Sequence, residues 1–90
     1  MRELIYTGQF KRDFKKIKAQ GKSITNLQNV ISLLLEDATI PKSYKDHALK
    51  GHWVNCRDLH IDPDWVLIYR KKGDTELILE RTGSHSEIFK

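Results

Sequence analysis

The feature that most constrains this chain is a succession of three strand-length segments, residues 54–61, 65–71 and 76–81, joined by turns short enough to make the strands antiparallel neighbours. Asp62-Pro63 marks the first turn and Lys72-Gly73-Asp74 the second. In the middle segment Val66, Leu67, Ile68 and Tyr69 are apolar at every position, which suits a central strand buried on both faces. Such a strand needs cover, and the first half of the chain supplies it.

Residues 2–6 predict a short first strand. After Thr7, an N-cap residue type, Phe10, Phe14 and Ile17 recur at helical spacing and define a helix to about Gln20, where Gly21 can stop it. A second helix is expected from about Thr25, with Leu27, Val30, Ile31, Leu34 and Leu35 on its apolar face, ending before Pro41. Ser84-His85-Ser86-Glu87 reads as a capping box, so a short C-terminal helix should begin after Gly83. The order β-α-α-β-β-β implies an α+β fold: two N-terminal helices on one face of a mainly antiparallel, four-stranded twisted sheet, in a single domain spanning residues 1–90. The other face of the sheet is left for a site.

Sixteen Lys and Arg against twelve Asp and Glu leave a net charge of +4, a balance that favours an anionic partner without identifying one. The lone Cys56 cannot form an internal disulfide, and no apolar run is long enough to cross a bilayer, so a soluble cytoplasmic protein is the default expectation.

Several polar residues are not explained by folding. In the first strand of the meander Asp58 and His60 share one face while Leu59 and Ile61 share the other. In the last strand the parity of Leu77 and Leu79 continues into Arg81, a charge at the end of an apolar row. Arg81-Thr82-Gly83-Ser84-His85 then joins a guanidinium fork, a turn with free amides and a histidine at a helix start, a set suited to a phosphate. His47, His60 and Asp64 are further candidates to converge there. Phosphodiester cleavage needs a base for the nucleophile, an acid for the leaving oxygen and a cation for the developing charge; imidazoles, a carboxylate and an arginine supply these without a metal. A metal site built from His60 and Asp64 with His47 and His85 is the lesser reading, because the pair spans a turn and no recognised ligand motif appears. Trp65 and Phe89 are the aromatics to set apart from the core as stacking surfaces for unpaired RNA bases. On the first helix Lys11, Lys15, Lys18 and Lys22 form a basic stripe, read as lying opposite Phe10, Phe14 and Ile17. That stripe suits either an RNA backbone or an acidic protein segment.

The segments LIYTGQFKRDFKK, YKDHALKGHW, CRDLHIDPDWVLIYR and ERTGSHSEIF resemble the RelE superfamily of bacterial toxin endoribonucleases, and within it the YafQ-like branch, in a likeness that runs over nearly the whole chain. The resemblance implies an mRNA interferase of a type II toxin–antitoxin system, cutting messages in the ribosomal A site without metal or other cofactor. It also implies a cognate antitoxin as partner. Carried onto this sequence, the functional positions are His47, His60, Asp64, Trp65, Arg81, His85 and Phe89. The expected chemistry is attack of a ribose 2′-hydroxyl on the adjacent phosphorus, leaving a 2′,3′-cyclic phosphate and a 5′-hydroxyl. In it His85 is the leaving-group acid, Arg81 stabilises charge, and His47, His60 and Asp64 share base and orienting roles. Two other readings stand beside this one: a non-catalytic RNA-binding or translation-blocking module using the lysine stripe, and a co-repressor that binds operator DNA with its antitoxin.

Overall fold

A computed structural model of the chain describes residues 2–89. Strand β1 (Glu3–Tyr6) is followed by helices α1 (Gly8–Ala19) and α2 (Ile24–Leu35), a 3-10 turn at Lys42–Tyr44, strand β2 (His47–Ala48), a second 3-10 turn at Gly51–Trp53, strands β3 (Arg57–Asp62), β4 (Trp65–Lys72) and β5 (Glu76–Gly83), and helix α3 (His85–Ile88). The strands form one sheet in the order β1-β5-β4-β3-β2. β1 runs parallel to β5 and the remaining pairs are antiparallel.

Local chemistry sets the helix boundaries. The Thr7 hydroxyl accepts the Phe10 amide at 3.0 Å and so opens α1. Ser23 does the same for α2 through the Asn26 amide, which starts that helix just before the expected position. Ser84 and Glu87 complete the capping box of α3 in both directions.

Two expectations are corrected. The sheet has five strands, because the two residues His47 and Ala48 add an edge to β3 that is too short to leave a periodic signal. Strand β3 begins at Arg57 instead of residue 54, since Asn55 takes a left-handed conformation (φ 73°) that ends any extended run.

The sheet divides the core in two. Ile17, Leu27, Val30, Leu59, Leu67 and Leu79 belong to the larger cluster between helices and sheet. Each such buried aliphatic contributes roughly 1.5–3 kcal/mol, so this face carries most of the fold. The opposite face holds only a small cluster, Cys56, Val66, Ile68 and Ile88, with Leu49, Trp53 and Phe89 at its margin. Ile78, paired with Ile5 and Arg70, adds a separate apolar spot on that face, which also carries the polar side chains of Asp58, His60 and Arg70.

Candidate active site

Period-two alternation places Asp58 and His60 of β3 on the face of Val66 and Ile68, since these are their register partners in β4. His47 lies opposite Asp58 on β2. One line across the sheet runs from His60 to Val66 to Gly83, the last residue of β5, so α3 starts where this line ends and brings His85 back over it. The result is a row of rings. His47 and His60 are 6.2 Å apart between centroids, His60 and His85 6.3 Å, and His85 and Phe89 4.6 Å. Three imidazoles from distant parts of the sequence thus meet on one surface.

A carboxylate lies beneath them. Asp58 Oδ2 is 3.5 Å from His47 Nε2 and 3.7 Å from His60 Nε2, and the side chain is only 1 % exposed. Its Oδ1 has no hydrogen-bond partner among the described residues. Burial pushes the Asp58 carboxyl above the ordinary carboxylate range, against the opposing pull of His60, His47 and His85. His47 Nδ1 lies 2.7 Å from the Lys45 carbonyl, which can only accept, so Nδ1 carries a proton. Nε2 then faces the Asp58 carboxylate across 3.5 Å. Asp46 fixes the adjoining chain by accepting from Tyr69 Oη at 2.7 Å and from Arg57 Nε at 3.2 Å.

Arg81 reaches this face by a route that strand parity alone does not give. Ile68 pairs with Arg81 and Tyr69 with Leu79, so Glu80 is an unmatched residue and the bulge shifts Arg81 off the Leu77 and Leu79 parity onto that of Ile68. The guanidinium is clamped by Asp13 of α1, with Nε to Oδ2 at 2.7 Å and Nη2 to Oδ1 at 3.1 Å, which leaves Nη1 outside the clamp. Asp13 also accepts the Thr82 amide at 3.2 Å. Lys16 pairs with Glu87 and ties α1 to the helix that carries His85.

Other expected site residues fall elsewhere. Trp65 is fully buried, shares the parity of Leu67 and Tyr69 in the helix-side core, and donates Nε1–H to Thr82 Oγ1 at 2.8 Å. It anchors the strand and cannot stack an RNA base. Asp64 sits exposed at the tip of the β3–β4 hairpin, and the carboxylate between the histidines is Asp58. Lys11, Lys15 and Lys18 are not opposite the aromatic face of α1: successive helical residues differ by about 100°, and these lysines line one groove with Tyr6, Phe10 and Phe14. Tyr6 is 45 % exposed there. The groove adjoins β1 at one edge of the sheet, while His47 lies on β2 at the other.

Sequence reasoning missed two acidic residues. Asp58 was legible from its shared parity with His60. Asp13 falls on the helix face defined by Phe10, Phe14 and Ile17, and a carboxylate in that position asks for a buried cation.

The chain was compared with known proteins. A family model described as bacterial toxin of type II toxin-antitoxin system, YafQ, matches residues 2–90. The chain belongs to the YafQ family. The mRNA interferase toxin YafQ of Escherichia coli strain K12 is 40 % identical over 89 residues, covering 98 % of this chain and 96 % of that protein. The E. coli DinJ–YafQ complex superposes with a TM-score of 0.91 at 38 % identity over the whole of both chains. A copper-bound mutant toxin from Helicobacter pylori gives a TM-score of 0.93 at 43 % identity, covering 99 % of this chain and 100 % of that one. In this YafQ family member a cation would fall to His47, Asp58 and His60, whose ligand atoms lie within 4.8 Å of one another. Two imidazoles and a carboxylate with an unpartnered oxygen form a donor set that fits a divalent transition metal.

Proposed function

We propose that this chain is the toxin of a type II toxin–antitoxin pair and an endoribonuclease that cuts messenger RNA in the ribosomal A site. The single observation that carries the reading is the His47–His60–His85 row, with gaps of 6.2 and 6.3 Å between ring centroids. A phosphate between two such rings has one imidazole near its attacking oxygen and another near its leaving oxygen. His60, backed by Asp58 and with His47 beside it, takes the proton of the ribose 2′-hydroxyl. That oxygen bonds to phosphorus as the bond to the 5′-oxygen breaks, and His85 gives its proton to the departing oxygen. The products are a 2′,3′-cyclic phosphate and a 5′-hydroxyl. Nη1 of Arg81 faces the charge developing on the phosphoryl oxygens, Asp64 stands at the rim, and the Phe89 ring stacks on a base beside His85.

A cation on His47, Asp58 and His60 would occupy the lone pairs that these proton transfers use, so the mechanism runs on free imidazoles. The test is His85→Gln assayed in chelator with analysis of fragment ends. His85 is exposed, so the variant folds, and cleavage should fall by about 10²–10⁴. Undiminished cleavage by the variant, or a strict metal requirement in the wild type, overturns the proposal.

The groove of Tyr6, Phe10 and Phe14 with its lysines gives a second partner a place to dock. An aromatic floor with a cationic rim fits an acidic amphipathic segment such as a cytoplasmic antitoxin would present, better than it fits an RNA backbone, which has no use for the floor. Reversing charge at Lys15 and Lys18 should therefore weaken antitoxin binding more than message cleavage. The opposite result favours the translation-blocking module.

A further inference from the structure

β2 is only two residues long and covers β3 at Arg57 and Asp58. Leu49 donates its amide to the Cys56 carbonyl at 3.0 Å. Main-chain polar groups alternate between the edges of a strand, so those of Asp58 and His60 aim at the same edge as Cys56. Beyond β2 that edge is overlain by the Lys42–Tyr44 turn, and between turn and strand lies a cavity of about 280 Å³. Ser43, Tyr44 and Lys45 line one side and His60, Asp62 and Pro63 the other. Lys45 holds a left-handed backbone (φ 50°), a conformation costly for a side chain with a Cβ, and its carbonyl is the one that orients His47. His60 belongs both to the cavity wall and to the imidazole row.

We propose that this cavity is a nucleobase subsite, which receives the base of a nucleotide flanking the scissile phosphate and selects bases that carry an exocyclic amino group. The inference rests on the endoribonuclease reading and extends it to specificity. The aromatic ring of Tyr44 and the puckered, apolar ring of Pro63 offer weakly polar surfaces for the faces of a heterocycle. The Ser43 hydroxyl, the open edge of β3 and the Asp62 carboxylate offer hydrogen-bonding groups for its rim. A carboxylate only accepts, so it pairs with the outward N–H of the exocyclic amino group of adenine, cytosine or guanine, whereas uracil offers it only N3–H, flanked by two carbonyls that the carboxylate repels. The volume admits one base, which matches a single-stranded message, and Lys45 sets a cation beside the connecting phosphate.

The test adds the protein to a bacterial translation extract with a pool of messengers of varied sequence and maps the new 5′-hydroxyl ends. Wild-type protein should disfavour uracil at one position flanking the cut. Asp62→Asn, whose amide can pair with uracil, should erode that preference by about fivefold, the worth of one net hydrogen bond, while total cleavage changes far less. Ser43→Ala provides a second variant at the same wall. Unchanged base preference in both overturns the subsite while leaving the nuclease reading intact. Independently, titration of adenosine 3′-monophosphate against the isotope-labelled protein should shift the amides of Ser43, Lys45 and Asp62, and uridine 3′-monophosphate should do so more weakly. Equal or absent shifts overturn the subsite whatever the cleavage result, whereas selective shifts in a protein that cuts no message uphold the subsite and refute the nuclease reading.

Discussion

The clamp between Asp13 and Arg81 gives the sharpest quantitative expectation. Asp13 is 8 % exposed at its side chain and Arg81 23 %, so the pair is neither freely solvated nor fully dry. It makes two charge-assisted hydrogen bonds, of 2.7 and 3.1 Å, and Asp13 additionally accepts the Thr82 amide. Hydrogen bonds to charged groups contribute about 1.5–3 kcal/mol each when buried, and the partial exposure of Arg81 brings the pair toward the low end. Asp13→Ala removes both and strands the Thr82 amide, so it should cost about 3 kcal/mol. For a 90-residue domain each kcal/mol lowers Tm by about 5 °C, which gives a fall of about 15 °C. Arg81→Gln should cost about 2 kcal/mol, because Asp13 keeps Thr82 and Gln9 as donors. Urea unfolding of wild type, both singles and the double at neutral pH closes the thermodynamic cycle, and the coupling energy should be about 1.5 kcal/mol. A coupling below about 0.5 kcal/mol would mean that the clamp does not hold in solution, and with it would go the reason for Arg81 being fixed toward the phosphate.

Asp58→Asn separates stability from chemistry. At 3.5 Å the gross attraction between this carboxylate and a protonated His47 is about 5 kcal/mol at an effective dielectric of 20, yet burying the charge costs a similar amount. Stability should change by less than about 1 kcal/mol while cleavage drops by at least about tenfold; a variant that cuts as fast as wild type contradicts the assignment. Glu87 titrates in the opposite sense to Asp58. Lys16, then the Ser84 hydroxyl and amide, hold its carboxyl down from 4.5 to about 2, so its contribution is complete above 4.5 and is lost as pH falls from there through about 2. Carbon-detected titration of Glu87 should show the low midpoint, and Lys16→Gln should raise it; a wild-type midpoint near 4.5 would refute the tie between α1 and α3.

Strand periodicity and capping chemistry made most of the fold readable. The antiparallel meander, both amphipathic helices and the capping box that starts α3 follow from spacing alone. Parity within β3 likewise put Asp58 and His60 together, although His60 drew attention first because imidazoles are rarer than carboxylates. Trp65 was legible too, for it shares the parity of Leu67 and Tyr69.

What the sequence by itself determined is the set of local rules: which residues alternate, which helices begin where, and that an arginine, a turn and a histidine follow one another after β5. Only the tertiary structure decided the meetings. A bulge at Glu80 turned Arg81 to the other face, a two-residue strand set His47 against Asp58, and a helix returning over Val66 brought His85 within 6.3 Å of His60. Local conformation depends on neighbours within a turn or two and is written in short windows of sequence. Strand register and the pairing of Asp13 with Arg81, 68 residues apart, depend on how those pieces pack, which no short window records.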